Sequence, residues 1–209
     1  MTARHQKQLS GIQVFPRLLS LNGLPGILTI ESGGARRPAG GYRQHNFSAL
    51  KSHRMRTYVM GDIHGAYPAL VQCLQRSGFD YEEDTLIQLG DIADGHPQVF
   101  ACVEELLKIK HLIAIKGNHD DWFNTYIQTG VHPDQWRQGG AATAFSYLEP
   151  MGRENQILAR GDGFTVALNP ADVPPAHQAL FRQQLLYYTD ERNNLFVHAG
   201  FNRRLPFKE

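Results

Sequence analysis

The chain has 209 residues, of which 42% are hydrophobic, and a formal net charge of +1 at pH 7. This length and composition suffice for one domain with a sizeable core. The nearly balanced charge gives no general affinity for polyanions, so we expect no nucleic-acid partner. No apolar run approaches the roughly 18 residues of a membrane span, so we expect no membrane partner either.

The charged residues are unevenly distributed along the chain. Residues 1–54 hold 8 of the 21 basic residues and one acidic residue, Glu31, and they are rich in Gly, Pro, Ser and Arg. No helical or strand period persists there, which predicts a basic leader of low order. An organelle transit peptide is the alternative. The other 13 basic and 19 acidic residues lie in 55–209, where we expect a folded domain beginning at Met55.

The chain has two cysteines, Cys73 and Cys102, each at an apolar position of a predicted helix. This placement predicts buried free thiols and no disulfide framework. Free thiols fit a reducing compartment, so we expect a cytoplasmic protein.

From Met55 onward, short apolar strands alternate with amphipathic helices. Strands are predicted at residues 56–60, 85–89 and 112–115, and helices at residues 66–77 and 97–109, where apolar residues recur with helical spacing. This β-α-β-α-β order is typical of parallel strands covered by helices.

The remaining elements are predicted from weaker signals. They are a helix at 121–129, a helical segment within 136–147 after Gly139-Gly140, a strand at 164–168, a helix from a cap at Asp172 to Tyr187, and a strand at 194–197.

Four of the predicted strands end in a cluster of metal-competent side chains. The clusters are Gly-Asp-Ile-His-Gly at 61–65, Gly-Asp-Ile-Ala-Asp-Gly at 90–95, Gly-Asn-His-Asp at 117–120 and Val-His-Ala-Gly at 197–200. Ligand sites in open α/β sheets lie outside the carboxyl ends of the strands. The clusters are therefore predicted to converge on one site.

The first cluster indicates the chemistry of that site. Residues at i and i+2 of a strand point to the same side, so Asp62 and His64 would project into one space. A carboxylate and an imidazole that converge make half of a metal site. Gly61 and Gly65 would let the backbone bend tightly around it. A turn or helix-cap role for Asp62 is the alternative.

In this order the four clusters resemble the calcineurin-like metallophosphoesterase superfamily, in particular its bacterial and phage serine/threonine protein phosphatases and then its symmetrical diadenosine tetraphosphatases. The resemblance covers residues 55–209 and implies an α/β fold, a two-sheet αββα sandwich with helices outside. It implies a hydrolase of phosphate monoesters, with phosphoserine and phosphothreonine among the candidate substrates. A nucleotide-polyphosphate hydrolase and a truncated metal-binding remnant are the alternatives.

The resemblance also implies two divalent ions, with manganese expected first and iron or zinc as alternatives. Asp62 and His64 would bind one ion, and Asn118 and His198 the other. Asp91 would bridge both, since a carboxylate has two oxygens.

The resemblance further implies that His119 acts on the leaving group and is oriented by Asp94. Histidine suits general acid catalysis near neutral pH. Two alternatives stay open: His119 as a further metal ligand, and Asp94 as a turn or cap residue. Asp120 is predicted to cap the next helix and Asp121 to be solvated. Four further histidines are predicted at the surface: His96, His111, His132 and His177.

Two departures from the family pattern affect these expectations. Gly95 stands where protein phosphatases of this group have an Arg that holds phosphate, and Arg137, Arg203 or Arg204 could replace it unless they are solvated surface charges. No Gly-His motif follows Val197 to supply a last metal ligand. We therefore expect a C-terminally incomplete domain with a weakly held second ion.

Overall fold

A computed structural model describes residues 27–30, 55–161 and 163–199 of the chain. Most of the leader predicted for residues 1–54 lies outside this part, as do Arg203 and Arg204. The extent of order in the leader therefore remains a prediction.

A four-stranded mixed sheet lies at the centre of the described chain. Strands β2 (Thr57–Met60), β3 (Thr85–Gln88) and β4 (His111–Ala114) are parallel neighbours, and β1 (Ile27–Ile30) pairs antiparallel with β2. The three parallel strands confirm the sequence prediction. Strand β1 was not predicted, because glycine and proline directly before it interrupt the apolar pattern.

Five α-helices follow in the described chain: α1 (Tyr67–Ser77), α2 (Val99–Leu106), α3 (Asn118–Thr129), α4 (Gly140–Leu148) and α5 (Pro175–Gln183). Helices α1 and α2 connect the parallel strands as predicted. Among the described residues, no helix combines the length and apolar character needed to cross a membrane.

Helix α2 is shorter than predicted, at Val99–Leu106 rather than at 97–109, and two helices near the polar clusters also differ from the prediction. Helix α3 begins at Asn118 rather than at residue 121, so the third polar cluster forms the first turn of the helix. Helix α5 ends at Gln183, and Asp172 does not cap it. Asp172 lies in a preceding 3₁₀ turn, where its carboxylate accepts the Asn169 N–H at 2.8 Å.

Two antiparallel ribbons complete the described chain. Strands β5 (Ile157–Arg160) and β6 (Gly163–Val166) form one, and β7 (Tyr188–Thr189) and β8 (Leu195–Phe196) form the other. Strand β8 falls within the strand predicted at 194–197, and β6 overlaps the one predicted at 164–168 but begins and ends earlier. Their partners β5 and β7 were not predicted, because pairing partners are set by contacts that a short segment does not reveal.

The two faces of the central sheet are covered by different layers. Side chains of a strand alternate between faces, and Tyr58, Met60 and Leu86 belong to the main hydrophobic core with residues of all five helices. Ile87 instead packs with Phe196 of the β7–β8 ribbon. The sheet thus lies between helices and a second strand layer, which confirms the predicted α/β architecture.

Neither cysteine is in a disulfide, as predicted. Cys102 is fully buried, and burial raises the pKa of its thiol to about 12. Cys73 is only half-buried, so that part of the burial prediction is wrong.

Candidate metal centre

The predicted ligands within the described chain lie together at the carboxyl end of the sheet. They follow β2, β3, β4 and β8 in turn, and contacts between their side chains link Asp62, His64, Asp91, Asn118, His119 and His198. The convergence expected from the strand ends is therefore observed.

Asp91 lies at the middle of this group. Its Oδ2 is 3.6 Å from Nε2 of His64 and 3.3 Å from Nε2 of His198. Its Oδ1 accepts the backbone N–H of His119 at 3.1 Å. The same oxygen therefore faces both imidazoles, so bridging by Asp91 would use Oδ2 rather than one oxygen for each ion.

Backbone carbonyls orient both imidazoles. Nδ1 of His64 donates to the Ala93 carbonyl at 3.0 Å, and Nδ1 of His198 donates to the Leu89 carbonyl at 2.8 Å. In each ring Nε2 is left facing Asp91. A ligand histidine typically has its other ring nitrogen fixed in this way, because the contact sets its tautomer and orientation.

Electrostatics couple Asp91 to His198. The Asp91 carboxylate raises the pKa of His198 to about 9. Burial opposes ionisation of Asp91, but the His198 imidazole and the His119 N–H hold the pKa of Asp91 below its ordinary value. The site thus stabilises a positive charge between these side chains, and a divalent ion can supply that charge in place of the proton.

The donor set fits divalent transition metals. Donor atoms of neighbouring candidate ligands are 3.3 to 3.9 Å apart, and atoms bound at ~2.0–2.2 Å to one ion lie roughly 3–3.5 Å apart. Two groups each gather three donor atoms within 4.8 Å: His64, Asp91 and His119, and Asp62, Asp91 and His198. Asp91 belongs to both groups.

The two groups of neighbouring donor atoms differ from the pairs of ligands that the family resemblance implies for each ion. Asp62 groups with His198, yet its Oδ2 is also 3.9 Å from Nε2 of His64, the predicted partner. Oδ1 of Asn118 lies 3.3 Å from Nε2 of His198, as expected for two ligands of one ion. The assignment of each ligand to an ion therefore stays a prediction.

Three site residues adopt the left-handed backbone conformation that non-glycine residues seldom use. The φ angles are 47° at His64, 56° at Asp91 and 70° at Asp94. Such conformations cost free energy and persist where neighbours fix them. Here the Asp91 carbonyl accepts the N–H groups of Ile63 and His64 at 3.0 and 2.8 Å. These bonds join the first two clusters.

Glycines allow the clusters to approach one another. A Cβ at Gly117 would lie 2.1 Å from Oδ1 of Asp91, and one at Gly65, where φ is +67°, would lie 2.2 Å from the His96 carbonyl oxygen. The structure therefore requires glycine at position 65, as predicted. Gly61 has no such need, because a Cβ there would meet nothing within 4 Å.

His119 and Asp94 form the predicted pair. Nδ1 of His119 lies 2.8 Å from Oδ2 of Asp94, whose side chain is fully buried. Burial raises the pKa of Asp94, and the hydrogen bonds that it accepts from Thr143, His119 and Trp136 oppose this shift. Because Asp94 occupies Nδ1, Nε2 is the His119 nitrogen available to a ligand.

Sequence analysis missed three residues around this pair. Nε1 of Trp136 and Oγ1 of Thr143 donate to Oδ1 of Asp94 at 3.0 and 2.6 Å. Trp122 is half-buried, and its ring meets the His119 ring edge to face, with the two ring centroids 4.5 Å apart. The Gly139-Gly140 pair is the one unusual feature of the sequence between Trp136 and Thr143. Nothing in the sequence links these two residues to Asp94.

Asp120 does more than the predicted cap. Its Oδ2 accepts the Gly117 N–H at 3.2 Å, as a capping residue would, and the Gln184 side chain at 2.7 Å. Its Oδ1 accepts the N–H groups of Ile92 and Ala93 at 2.8 and 3.0 Å. Asp120 is fully buried and joins two of the polar clusters to Gln184, the residue directly after α5. Asp121 is exposed, as predicted.

The surface prediction is wrong for His177. His96 and His111 are exposed, and His132 is half-buried. His177 is fully buried: Nδ1 pairs with the Tyr147 hydroxyl at 3.0 Å, and Nε2 lies 2.7 Å from Oε1 of Glu104. Partners on two other helices satisfy the ring, which local sequence could not reveal.

Arg137 is the one candidate phosphate-binding arginine within the described residues. Its guanidinium is partly exposed and lies 3.1 Å from the Asp134 carboxylate. Its role toward phosphate therefore remains a prediction, as do the roles of Arg203 and Arg204.

Comparison with known proteins assigns these features to a family. Residues 55–170, more than half of the chain, match the family described as calcineurin-like phosphoesterase. The chain is 27% identical over 147 residues to a symmetrical bis(5'-nucleosyl)-tetraphosphatase of Pseudomonas syringae pv. tomato, covering 70% of this chain and 41% of that protein. It is 30% identical over 149 residues to the Proteus mirabilis enzyme of the same name, covering 70% and 45%.

A shorter match links the chain to a phosphoprotein phosphatase. Serine/threonine-protein phosphatase 1 of Salmonella typhimurium is 36% identical over 63 residues, covering 30% of this chain and 29% of that protein. The matches thus span less than half the length of these curated relatives.

Similarity to a solved structure supports the fold. That structure is described as a diadenosine tetraphosphatase by provisional assignment, with a TM-score of 0.50 and 20% identity over 76% of this chain and 56% of that chain. At this identity the similarity concerns the fold alone.

Proposed function

Because the chain belongs to the calcineurin-like phosphoesterase family, we propose that it is a metal-dependent hydrolase of phosphoesters. The observation that carries the proposal is the position of Asp91, whose Oδ2 lies between the Nε2 atoms of His64 and His198. A carboxylate oxygen between two oriented imidazoles suits a pair of ions that share one ligand.

Two divalent ions would occupy this centre, with manganese as the first choice. Asp62 and His64 would hold one, Asn118 and His198 the other, and Asp91 both. When bound, such a pair clamps a phosphate and lowers the pKa of a water.

The chain's own residues then serve the leaving group. Asp94 holds Nδ1 of His119, so a proton on Nε2 can be donated to the leaving oxygen. General acid catalysis of this kind contributes typically ~10²–10⁴-fold to the rate. His119 is therefore the catalytic acid, and Asp94 is its positioning partner.

Two substrate classes fit this chemistry. Phosphate monoesters, including phosphoserine and phosphothreonine, are supported by the short match to a protein phosphatase. Nucleoside polyphosphates are supported by longer matches to bis(5'-nucleosyl)-tetraphosphatases, and Gly95 leaves no arginine at the phosphate-binding position of the protein phosphatases. The half-buried indole of Trp122 beside His119 also gives an aromatic surface to a nucleoside. We therefore favour nucleoside polyphosphates as substrates.

A substrate panel tests this proposal. The full chain with added Mn²⁺ is assayed on 4-nitrophenyl phosphate, a phosphoserine peptide and diadenosine tetraphosphate. We expect chelator-sensitive turnover, with the highest kcat/KM on diadenosine tetraphosphate. Preference for the phosphopeptide would move the assignment to the protein phosphatase class. Absence of metal-dependent turnover on all three would refute the proposed activity.

The compartment is proposed on the cysteines. Neither Cys73 nor Cys102 is in a disulfide, as is usual in reducing compartments. We place the protein in the cytoplasm, and retention of both thiols in protein isolated under alkylating conditions would support this location.

A further inference from the structure

The buried carboxylate of Asp94 has a donor on each side of it. Oδ2 faces His119, while Oδ1 accepts Nε1–H of Trp136 at 3.0 Å and the hydroxyl of Thr143 at 2.6 Å. The Thr143 oxygen also accepts the Asp94 N–H at 2.8 Å. Thr143 thus fixes both the backbone and the side chain of Asp94.

Asp94 and the two residues that donate to its Oδ1 are shielded from water. Asp94, Trp136 and Thr143 each expose 0% of their surface. A buried carboxylate that lost one of these donors would keep the full cost of its burial with less compensation. It would then rotate or move toward other partners, and its hold on His119 would weaken.

The glycine pair at the start of α4, Gly139 and Gly140, makes these hydrogen bonds possible. Gly139, at φ +97°, brings the chain so close that a Cβ would lie 3.0 Å from the Gly95 nitrogen and 3.1 Å from Cβ of Asp94. A Cβ at Gly140 would lie 2.6 Å from the Trp136 ring. Residues 136–143 are therefore shaped around Asp94, and they belong to none of the four polar clusters.

From these contacts we infer that Trp136 and Thr143 are positioning residues for the His119–Asp94 pair. They hold Asp94 in the rotamer that places Oδ2 on Nδ1 of His119, which keeps Nε2 directed to the leaving group. This role rests on the proposed phosphoesterase function and extends it to a segment outside the metal ligands.

The test compares near-isosteric substitutions on α4 and adds one at Trp136, which precedes that helix. Thr143→Val removes both hydrogen bonds to Asp94 at nearly constant volume, and Thr143→Ser keeps the hydroxyl. Tyr147→Phe, one turn later on α4, is the matched control, because Tyr147 is equally buried and bonds to His177 instead. Trp136→Phe removes the other donor.

Leaving-group dependence provides the first measurement. kcat/KM is determined on 4-nitrophenyl phosphate and on phenyl phosphate, whose leaving group needs a proton more. Thr143→Val and Trp136→Phe should lose about tenfold more on phenyl phosphate than on 4-nitrophenyl phosphate, as part of the ~10²–10⁴-fold acid contribution. Thr143→Ser should restore the wild-type ratio, and Tyr147→Phe should leave it unchanged. Equal losses on both substrates, or the same ratio change in Tyr147→Phe, would overturn the inference.

The second measurement does not depend on activity. Side-chain ¹⁵N NMR of metal-free protein, with the His119 signals assigned through His119→Asn, reports which ring nitrogen carries the proton. Wild type and Tyr147→Phe should show His119 protonated at Nδ1, and Thr143→Val should show a mixture. An unchanged His119 spectrum in Thr143→Val would refute the positioning role. If wild type hydrolyses no phosphoester, the proposed function fails while this spectrum still decides the positioning role.

Discussion

Replacing Gly117 with alanine tests how closely the third cluster must approach Asp91. Gly117 has φ −88°, which alanine adopts without strain, so only contacts oppose the substitution. The added Cβ would lie 2.1 Å from Oδ1 and 2.3 Å from the backbone nitrogen of Asp91. Real Cβ atoms essentially never come closer than 3.0 Å to such atoms. Asp91 or the start of α3 must therefore move by about 1 Å.

The expected loss follows from this displacement. A misplacement of about 1 Å in a catalytic arrangement can cost ~10²-fold in rate, and overpacking typically costs about 1–3 kcal/mol of stability. We expect Gly117→Ala to lower kcat/KM for 4-nitrophenyl phosphate roughly 100-fold at saturating Mn²⁺. Its melting temperature should fall, but the protein should remain folded.

Gly61→Ala is the matched control. Gly61 is the first residue of the first cluster, as Gly117 is of the third, but a Cβ at Gly61 would meet nothing within 4 Å. We expect kcat/KM of this variant to stay within about threefold of wild type, because no atom has to move. Wild-type kcat/KM and metal content in Gly117→Ala, or equal damage in both variants, would refute the geometry described for Asp91.

Three further predictions address the centre and the fold around it. Asp91→Asn should abolish turnover and lower bound Mn²⁺ without unfolding the protein, because the negative charge between His64 and His198 is lost. Full activity in this variant would contradict the shared-ligand role. His119→Asn should lose ~10²–10⁴-fold on alkyl phosphates and much less on 4-nitrophenyl phosphate, whereas equal losses together with lost metal would make His119 a ligand. Burial lowers the pKa of His177 below 6.5 despite the Glu104 carboxylate beside it. The neutral His177 imidazole therefore stabilises the fold above about pH 6.5, and this contribution is lost as the pH falls below that value. His177→Gln should therefore show a shallower decline of unfolding free energy than wild type between pH 6.5 and 5 in chelator, and parallel curves would contradict this assignment.

Local patterns predicted the elements that carry the ligands. Alternation of apolar strands and amphipathic helices placed β2, β3 and β4, and the strand-end rule placed Asp62, Asp91 and Asn118 at one edge. These features are encoded within a few residues of each position. Strand β1 escaped detection, because its pairing with β2 crosses a long segment without periodicity.

Contacts that are distant in sequence could not be predicted. Asp94 meets Trp136 and Thr143 across 42 and 49 residues, and Asp120 meets Gln184 across 64. The sequence around His177 does not indicate burial, because its hydrogen-bond partners lie on two other helices. In each case a polar side chain is buried because another element supplies its hydrogen bonds, and the sequence does not state which element that is.

The central claim is that Asp91 is shared by two metal ions, and anomalous diffraction from crystals grown with Mn²⁺ tests it most directly. We expect two manganese peaks, one beside His64 and one beside His198, each within bonding distance of the Asp91 carboxylate. A single peak, two peaks that do not share Asp91, or no peak at saturating Mn²⁺ would contradict it.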